Sequence, residues 1–275
     1  MSRLSPASWL ARGWRAAYWL LCAAIFVFLV APILVIVPLS FNAGAFFTYP
    51  LAGVSLQWYR EFLTGVQWQR AVENSLIVAV GATAVATSLG TLAALGLHRV
   101  RLPFRQAIVA VLLSPMVVPV IITAVGMFYF YARIGIANTL GGLIVAHAAL
   151  GIPFVFVTVG AVLSTLDDNL VRAAASLGAG PVRVFRAVVL PLILPGVVSG
   201  ALFAFVTSWD DVVVAIFLAG PRQHTLPRQM WSGIREFISP TLLAVATLLI
   251  VLSISLMLVV ELLRRKGERL RDVMG

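Results

Sequence analysis

Six long apolar segments, separated by short polar and basic stretches, constrain this chain more than any other feature of its sequence. A helix rises 1.5 Å per residue, so about 20 mostly apolar residues cross the hydrocarbon core of a bilayer. The segments that meet this length are 17–40, 74–97, 106–131, 141–163, 192–219 and 241–263. The sequence therefore predicts an all-α bundle of six transmembrane helices, in one domain that spans 1–275.

The composition agrees with a membrane protein and argues against a soluble one. Hydrophobic residues make up 61% of the chain and charged residues 11%, whereas soluble domains carry about 25% charged residues. The net charge of +10 would suit nucleic acid, but cytoplasmic loops of membrane proteins are also basic. We therefore expect lipid and not nucleic acid as a partner. Cys22 is the only cysteine, which excludes a disulfide within the chain and gives no metal signal.

The distribution of basic residues predicts the orientation. With both termini in the cytoplasm, fourteen Lys and Arg residues face the cytoplasm and six face outward. The fourteen are Arg3, Arg12, Arg15, Arg99, Arg101, Arg105, Arg172, Arg183, Arg186, Arg264, Arg265, Lys266, Arg269 and Arg271. Because basic residues are enriched on the cytoplasmic side, this orientation is the predicted one.

The loop before the second segment and the second segment itself suggest how the bundle is built. The loop 41–73 mixes charged and aromatic residues, including Trp58 and Tyr59. It predicts a short helix at the membrane interface, with a ligand-stacking site as the alternative. Asn74 and Ser75 then open a segment rich in Gly and Ala. Small side chains let helices approach closely in lipid, so we expect this segment to be buried in the bundle.

The third segment contains two prolines, and the fourth contains a histidine. Pro115 and Pro119 are expected to bend the third helix, as architecture or as the lining of a cavity. His147 lies inside the fourth segment. We expect it to be an interhelical hydrogen-bond partner, because no metal-ligand companion accompanies it.

The fifth segment contains the residues that are most costly to place in a membrane. Thr207, Trp209, Asp210 and Asp211 lie in an otherwise apolar run, and an acid there should face a cavity or a partner. Adjacent helical residues diverge by about 100°, so both acids cannot face one narrow pore unless the helix breaks. We expect one Asp to face a passage while the other bonds a neighbouring helix. The structural alternative is that Ser208 and Asp210 cap a second half-helix, or that one Asp pairs with an arginine of another subunit.

A polar island, residues 163–195, separates the fourth and fifth segments. Asp167 and Asp168 suit the N-terminal end of a short helix, and Gly178 and Gly180 suit a left-handed turn that ends it. Pro181 suits the first turn of a second short helix. The island is therefore predicted to form a helix, a sharp turn and a second helix. It would serve either as an amphipathic connector at the lipid headgroups or as a docking surface.

The spacing inside the island resembles the cytoplasmic signature loop of the membrane subunits of bacterial ABC importers. That signature is Glu-Ala-Ala, three residues, Gly, nine residues, Ile, any residue, Leu-Pro. Here Ala173 and Ala174 precede Gly178, and Val188, Val189, Leu190 and Pro191 follow at the matching distance. Arg172 replaces the usual glutamate, and Val188 replaces the isoleucine.

This resemblance implies the type I ABC importer permease fold and names the candidate sites. The ATPase-docking loop is about 164–191, with Arg172, Ala173, Ala174, Gly178, Leu190 and Pro191 as its docking residues. The run from Ser208 to Val214 resembles the second permease of spermidine/putrescine importers, which implies a cationic solute. Thr207, Trp209, Asp210 and Asp211 are then the candidate substrate-pathway residues. Aminophosphonate or ferric iron remain alternative solutes.

The resemblance also implies the partners. They are a homologous second permease, a dimer of ATPase subunits and a periplasmic solute-binding protein. The chain has no phosphate-cradling glycine-lysine loop, so we expect no bound cofactor and no enzyme activity, with ATP and Mg²⁺ on the ATPase. The rival classes are a secondary transporter, which usually shows internal repeats, and an intramembrane aspartyl protease. The protease reading is disfavoured because Asp210 and Asp211 are adjacent, with no second membrane acid placed to share a proton.

Overall fold

The structure is a computed structural model that describes residues 6–46, 49–99, 103–236 and 239–255. Arg3, Arg101, the end of the predicted sixth span and the basic tail lie outside these ranges. The helices are α1 (Pro6–Leu39), α2 (Gln57–Thr64), α3 (Val66–Arg99), α4 (Arg105–Val117), α5 (Val120–Ile134), α6 (Leu140–Ser164), α7 (Asp168–Ser176), α8 (Pro181–Val184), α9 (Leu190–Trp209), α10 (Val213–Leu218), α11 (Leu226–Glu236) and α12 (Thr241–Ser255). A π-helical turn, Phe185–Val189, joins α8 to α9.

Contacts divide the chain into two compact units, of which Val66–Ser232 is the larger. Within it α3, α6 and α9 pack together through small residues. A Cβ added to Gly90 would lie 2.7 Å from the Val155 side chain, and one added to Gly200 would lie 2.5 Å from Thr158 Oγ1. Backbones this close require glycine, which is how helices associate in lipid without a hydrophobic driving force. The predicted burial of the small-residue segment is confirmed, because Ala82 and other alanines of α3 are buried.

The third predicted span is not one straight helix. α4 and α5 meet at an angle of 106°, and the break lies at Val118 and Pro119. Val118 is extended, with ψ 132°, because the ring of a following proline disfavours the helical conformation. Pro115 leaves α4 unbroken. Its missing N–H would have bonded Val111, and the Ser114 hydroxyl donates to that carbonyl instead at 2.8 Å, a common repair of proline-interrupted helices in membranes.

The fifth predicted span, 192–219, is wrong at both ends. The helix starts at Pro181 and runs without interruption to Trp209, so the second half of the island belongs to it. The π turn precedes Pro191, whose ring would otherwise clash with the carbonyl one turn back. In that turn the Leu190 N–H donates to the carbonyl of Phe185, five residues earlier. The helix ends at Trp209, and α10 follows as a separate short helix.

The second unit comprises Met1–Gly65 and Gly233–Gly275, and its described part contains α1, α2, α12 and a folded loop. Asn42 organises the loop: its Oδ1 accepts the N–H of Ala52 at 3.1 Å and its carbonyl accepts the Trp58 indole N–H at 2.7 Å. The Tyr59 hydroxyl lies 2.6 Å from Ser40 Oγ. The short helix predicted in the loop is therefore present as α2. The loop is shorter than predicted, because α3 begins at Val66.

Four described helices are long and apolar enough to cross a membrane, and the bent pair α4–α5 makes a fifth span if it is counted as one. These helices are Gly13–Leu39, Val66–His98, Leu140–Ser164 and Pro181–Trp209. α12 is apolar but is described only as far as Ser255. The all-α membrane bundle is confirmed, while the count of six spans and the single domain stay predictions.

Candidate functional site

The predicted docking loop forms a helical hairpin whose turn is set by Gly178. The Asp167 carboxylate accepts the N–H of Asn169 at 2.9 Å and so caps α7, as the sequence predicted. Gly178 has φ +83°, a left-handed conformation that favours glycine. The prediction for Gly180 was wrong, because its φ is −66°. Pro181 begins α8, where its missing N–H costs nothing.

The predicted docking residues divide between the surface and the core of this hairpin. Arg172, Ala173 and Gly178 are exposed, as is Pro191. Ala174 and Leu190 are half-buried and pack against the buried core of the larger unit. An open groove of about 590 Å³ lies beside the turn, lined by Gly180, Pro181, Val182, Arg183, Arg186 and Ala187. The hairpin thus presents small side chains and two arginines on one exposed surface.

The predicted docking loop is connected to the paired acids by one continuous helix. Pro181–Trp209 is one continuous helix of 29 residues, which corresponds to roughly 40 Å at 1.5 Å per residue. It carries Leu190 and Pro191 about a third of the way along, and Asp210 follows directly after its last residue. The sequence predicted these two groups to lie on separate elements, because the apolar run of the fifth segment begins only at residue 192.

His147 on α6 connects the end of this helix to the bundle. Its Nδ1 lies 2.9 Å from Ser208 Oγ, and its Nε2 lies 3.4 Å from Asp211 Oδ2. The predicted interhelical role of His147, which is 1% exposed, is therefore confirmed. Asp211 Oδ2 also accepts the N–H of Ala215 at 3.1 Å and so caps α10. With Asp211 ionised, Nε2 carries the imidazole proton and Nδ1 accepts the Ser208 hydroxyl.

Asp210 occupies a different environment from its neighbour. Its N–H closes the last turn of α9 on the carbonyl of Val206 at 3.0 Å, and its side chain is exposed. Among the described residues, no cation pairs with its carboxylate. Thr207 is half-buried, and Trp209 stacks on Phe205 with ring centroids 5.9 Å apart. The two acids that follow the break at Trp209 therefore differ, because Asp211 is largely buried and partnered while Asp210 is exposed.

The segment after α10 is fastened to the bundle by polar contacts that sequence reasoning missed. The Asn74 side-chain amide donates to the carbonyls of Arg222 and His224, each at 3.0 Å. The Leu226 N–H donates to Ser75 Oγ at 2.7 Å. These acceptors and donors are mainly backbone groups far along the chain. No side-chain pattern could have indicated the pairing, although Asn74 and Ser75 stood out as polar residues beside an apolar run.

Arg228 on α11 caps the other end of α10. Its guanidinium donates through Nη1 to the carbonyl of Ala215 at 3.0 Å and to that of Ala219. Partial burial lowers the pKa of this guanidinium from its ordinary value. α10 has six residues, and it therefore carries an acidic side chain at its N-terminus and a basic one at its C-terminus, the favourable arrangement for the helix dipole.

Comparison with known proteins identifies the family to which this helical membrane bundle belongs. Residues 86–269 match the family described as binding-protein-dependent transport system inner membrane component. The spermidine/putrescine transport system permease protein PotC of Haemophilus influenzae is 35% identical over 246 residues, covering 89% of this chain and 95% of the relative. The putrescine transport system permease protein PotI of Escherichia coli K12 is 34% identical over 259 residues, covering 90% and 91%.

A solved structure with this fold is that of a bacterial ABC transporter that imports the acidic polysaccharide alginate. It superposes with a TM-score of 0.71 at 14% identity, covering 96% of this chain and 99% of the matched chain. The likeness therefore concerns the fold alone. The chain belongs to the binding-protein-dependent transport system inner membrane component family, and it is a multi-pass permease subunit of an ABC importer.

Proposed function

We propose that this permease carries small, multiply charged cations of the polyamine class, such as putrescine and spermidine. One observation carries the proposal: Asp210 is an exposed carboxylate at a helix break within an apolar span, while Asp211 beside it is bound to His147 and α10. Acids within membrane spans are costly and face cavities or partners. The contacts of Asp211 account for that acid as a structural residue. They do not account for Asp210, which is exposed.

The chemistry of the cargo supplies the reason for Asp210. A polyamine carries separated ammonium groups, and each loses hydration when it enters a passage of low dielectric constant. A carboxylate offsets part of that cost, because opposite charges attract more strongly there than in water. The last carbonyl groups of α9 add the negative end of a helix dipole next to Asp210. Thr207 and Trp209 flank the acid and complete the proposed lining of the passage.

The names of the relatives support the same class of cargo. PotC of Haemophilus influenzae is a spermidine/putrescine permease and PotI of Escherichia coli is a putrescine permease. These relatives span nearly the whole chain. The alginate importer shares only the fold, so its anionic cargo does not bear on this site.

Transport is driven by a partner ATPase dimer that docks on the hairpin around Gly178. ATP and Mg²⁺ bind to that dimer, and this chain acts as a non-enzymatic transport subunit. The docking residues Arg172, Ala173, Ala174, Gly178, Leu190 and Pro191 lie on or against this surface. Closure of the ATPase pair moves the hairpin, and the continuous helix Pro181–Trp209 carries the movement to Asp210. Such rigid elements convert a local displacement into rocking of a bundle.

The remaining parts of the machine follow from this arrangement. A homologous second permease supplies the other half of the passage, and a periplasmic solute-binding protein delivers the cargo. Both termini and the docking hairpin lie in the cytoplasm of a bacterial cell in this proposal, which the positive-inside rule supports because fourteen of the twenty Lys and Arg residues then face the cytoplasm.

The proposal is tested by a panel of cargoes in proteoliposomes that contain the complete complex. ATP-dependent uptake of labelled putrescine and spermidine should exceed uptake of an aminophosphonate or of ferric iron. Putrescine uptake should be inhibited by unlabelled spermidine and not by butane-1,4-diol, which has the same length without the charges. Preferred uptake of the aminophosphonate or iron would reassign the cargo. Uptake without the copurified ATPase would overturn the ATP-driven mechanism.

A further inference from the structure

A groove between α4 and α6 is not used by the transport mechanism. Its volume is about 520 Å³, and it is lined by one face of the first turns of α4 and by the last third of α6. The lining residues are Arg105, Gln106, Val109, Ala110, Phe156, Val157 and Gly160. The walls are therefore apolar, and the polar groups are confined to the end where α4 begins.

Glycine keeps this groove open. A Cβ at Gly160 would meet no atom within 4 Å, so the space above it is empty of protein. Phe156, one helical turn before, packs against the buried core of the larger unit, which fixes the floor of the groove. The opening is therefore a feature of two well-packed helices.

Arg105 supplies a fixed positive charge at the mouth of the groove. Its Nε–H donates to the carbonyl of Leu97 at 3.2 Å, which holds the side chain. Within the described part of the chain, no carboxylate pairs with the guanidinium and no group accepts from its two terminal nitrogens. The guanidinium fork suits a phosphate, to which it can donate two parallel bonds. Gln106 offers further amide donors beside it.

The size of the groove distinguishes between possible occupants. A helix about 10 Å wide fills roughly 400 Å³ per turn of 5.4 Å. The groove therefore holds little more than one turn of a partner helix, too short a contact for a transmembrane helix that packs along its length. An acyl chain is slender enough to lie along the apolar walls. A phosphate joined to that chain reaches the first turn of α4, where the span meets the headgroup region.

We propose that this groove binds an anionic glycerophospholipid, with its phosphate on Arg105 and one acyl chain along Val109, Phe156 and Gly160. Basic pockets between transmembrane helices bind anionic headgroups in this way. The site is distinct from the passage at Asp210 and from the docking hairpin, so it adds a lipid-binding site to the permease.

The test uses the full chain in its complete complex, extracted in detergent and incubated with dioleoylphosphatidylglycerol or dioleoylphosphatidylcholine. Native mass spectrometry measures the lipid retained. The wild type should retain the anionic lipid about fivefold better than the zwitterionic one, as expected for one basic headgroup contact. Arg105→Gln should abolish the preference, and Gly160→Leu should lower retention of both lipids by filling the groove.

Two matched variants control for changes of charge and of glycine elsewhere. Arg133→Gln removes an exposed arginine from the end of α5, and Gly126→Leu adds a side chain where no atom lies within 4 Å. Both should retain lipid as the wild type does. An undiminished preference in Arg105→Gln would overturn the headgroup contact. Loss of the partner permease from the Gly160→Leu complex, with lipid retained, would show that the groove is a protein interface and overturn the proposal.

Discussion

The double capping of α10 leads to a quantitative prediction about Arg228. A helix of six residues is too short to be stable alone, because isolated helices need about 12–15 residues to be marginally stable in water. α10 is held by Asp211 at its N-terminus and by Arg228 at its C-terminus. Arg228→Met removes both guanidinium hydrogen bonds while keeping an apolar stem of similar length.

The expected magnitude follows from the two bonds that are lost. A hydrogen bond from a charged donor contributes about 1.5–3 kcal/mol when buried, and half-exposure of Arg228 reduces this, so we assign ~2 kcal/mol to the pair. That energy corresponds to an increase of about thirtyfold in the open population of α10. Backbone amides that exchange through local opening should exchange faster by the same factor.

Hydrogen–deuterium exchange of the complete complex measures this effect. Peptides that cover 213–219 should exchange about thirtyfold faster in Arg228→Met than in the wild type, while peptides of α6 should be unchanged. Arg222→Met is the control, since Arg222 is exposed and contributes only its backbone carbonyl. An unchanged exchange rate in Arg228→Met, or equal acceleration in the control, would refute the capping argument.

Three further outcomes are expected. Gly178→Trp should abolish copurification of the ATPase while membrane insertion stays normal, because the left-handed turn and the close approach of the ATPase are both lost. Arg172→Ala should have a milder effect. Normal ATPase association in Gly178→Trp would refute docking at the hairpin. His147→Ala should lower the free energy of unfolding by about 2 kcal/mol, because Ser208 and Asp211 both lose a buried neutral partner, and His147→Gln, which keeps an N–H donor, should recover part of that loss in thermal unfolding of the complex. Gly200→Leu should lower the yield of folded complex on size-exclusion chromatography, since its Cβ alone would lie 2.5 Å from Thr158 Oγ1; a wild-type yield would contradict the close packing of α6 and α9.

Local backbone chemistry made the docking hairpin predictable from sequence. The capping role of Asp167, the left-handed Gly178 and the first-turn position of Pro181 each depend on residues within a few positions of one another. The mistake at Gly180 has the same origin, because two nearby glycines both permit a left-handed turn and only one is needed.

The bends of the spans were less predictable, because a proline does not reveal how its lost hydrogen bond is replaced. Pro115 and Pro119 looked equivalent in sequence. The Ser114 hydroxyl satisfies the carbonyl freed by Pro115, while Val118 adopts the extended conformation that Pro119 favours and breaks the helix. A serine directly before a membrane proline is the signal that would have distinguished them.

The candidate site was predictable as a set of residues and not as a geometry. An intramembrane histidine and two adjacent acids could be singled out by their cost in lipid. The pairing of His147 with Asp211 depends on α6 and α9 packing through glycines, which only the folded bundle establishes. The division between a structural acid and an exposed acid follows from that packing.

The different roles of Asp210 and Asp211 are tested most directly by the ATP-dependent uptake of labelled putrescine by the complete complex in proteoliposomes. Asp210→Asn and Asp211→Asn are compared at equal amounts of assembled protein. Asparagine keeps the size and the hydrogen bonding of aspartate and removes the charge. Asp210→Asn should lose most uptake while thermal stability and basal ATPase activity stay at wild-type levels, because only the cargo loses a partner. Asp211→Asn should lower thermal stability, because α10 and His147 lose a charged partner. Wild-type uptake in Asp210→Asn, or loss of uptake that merely follows loss of assembly, would contradict a role for this carboxylate in carrying cations.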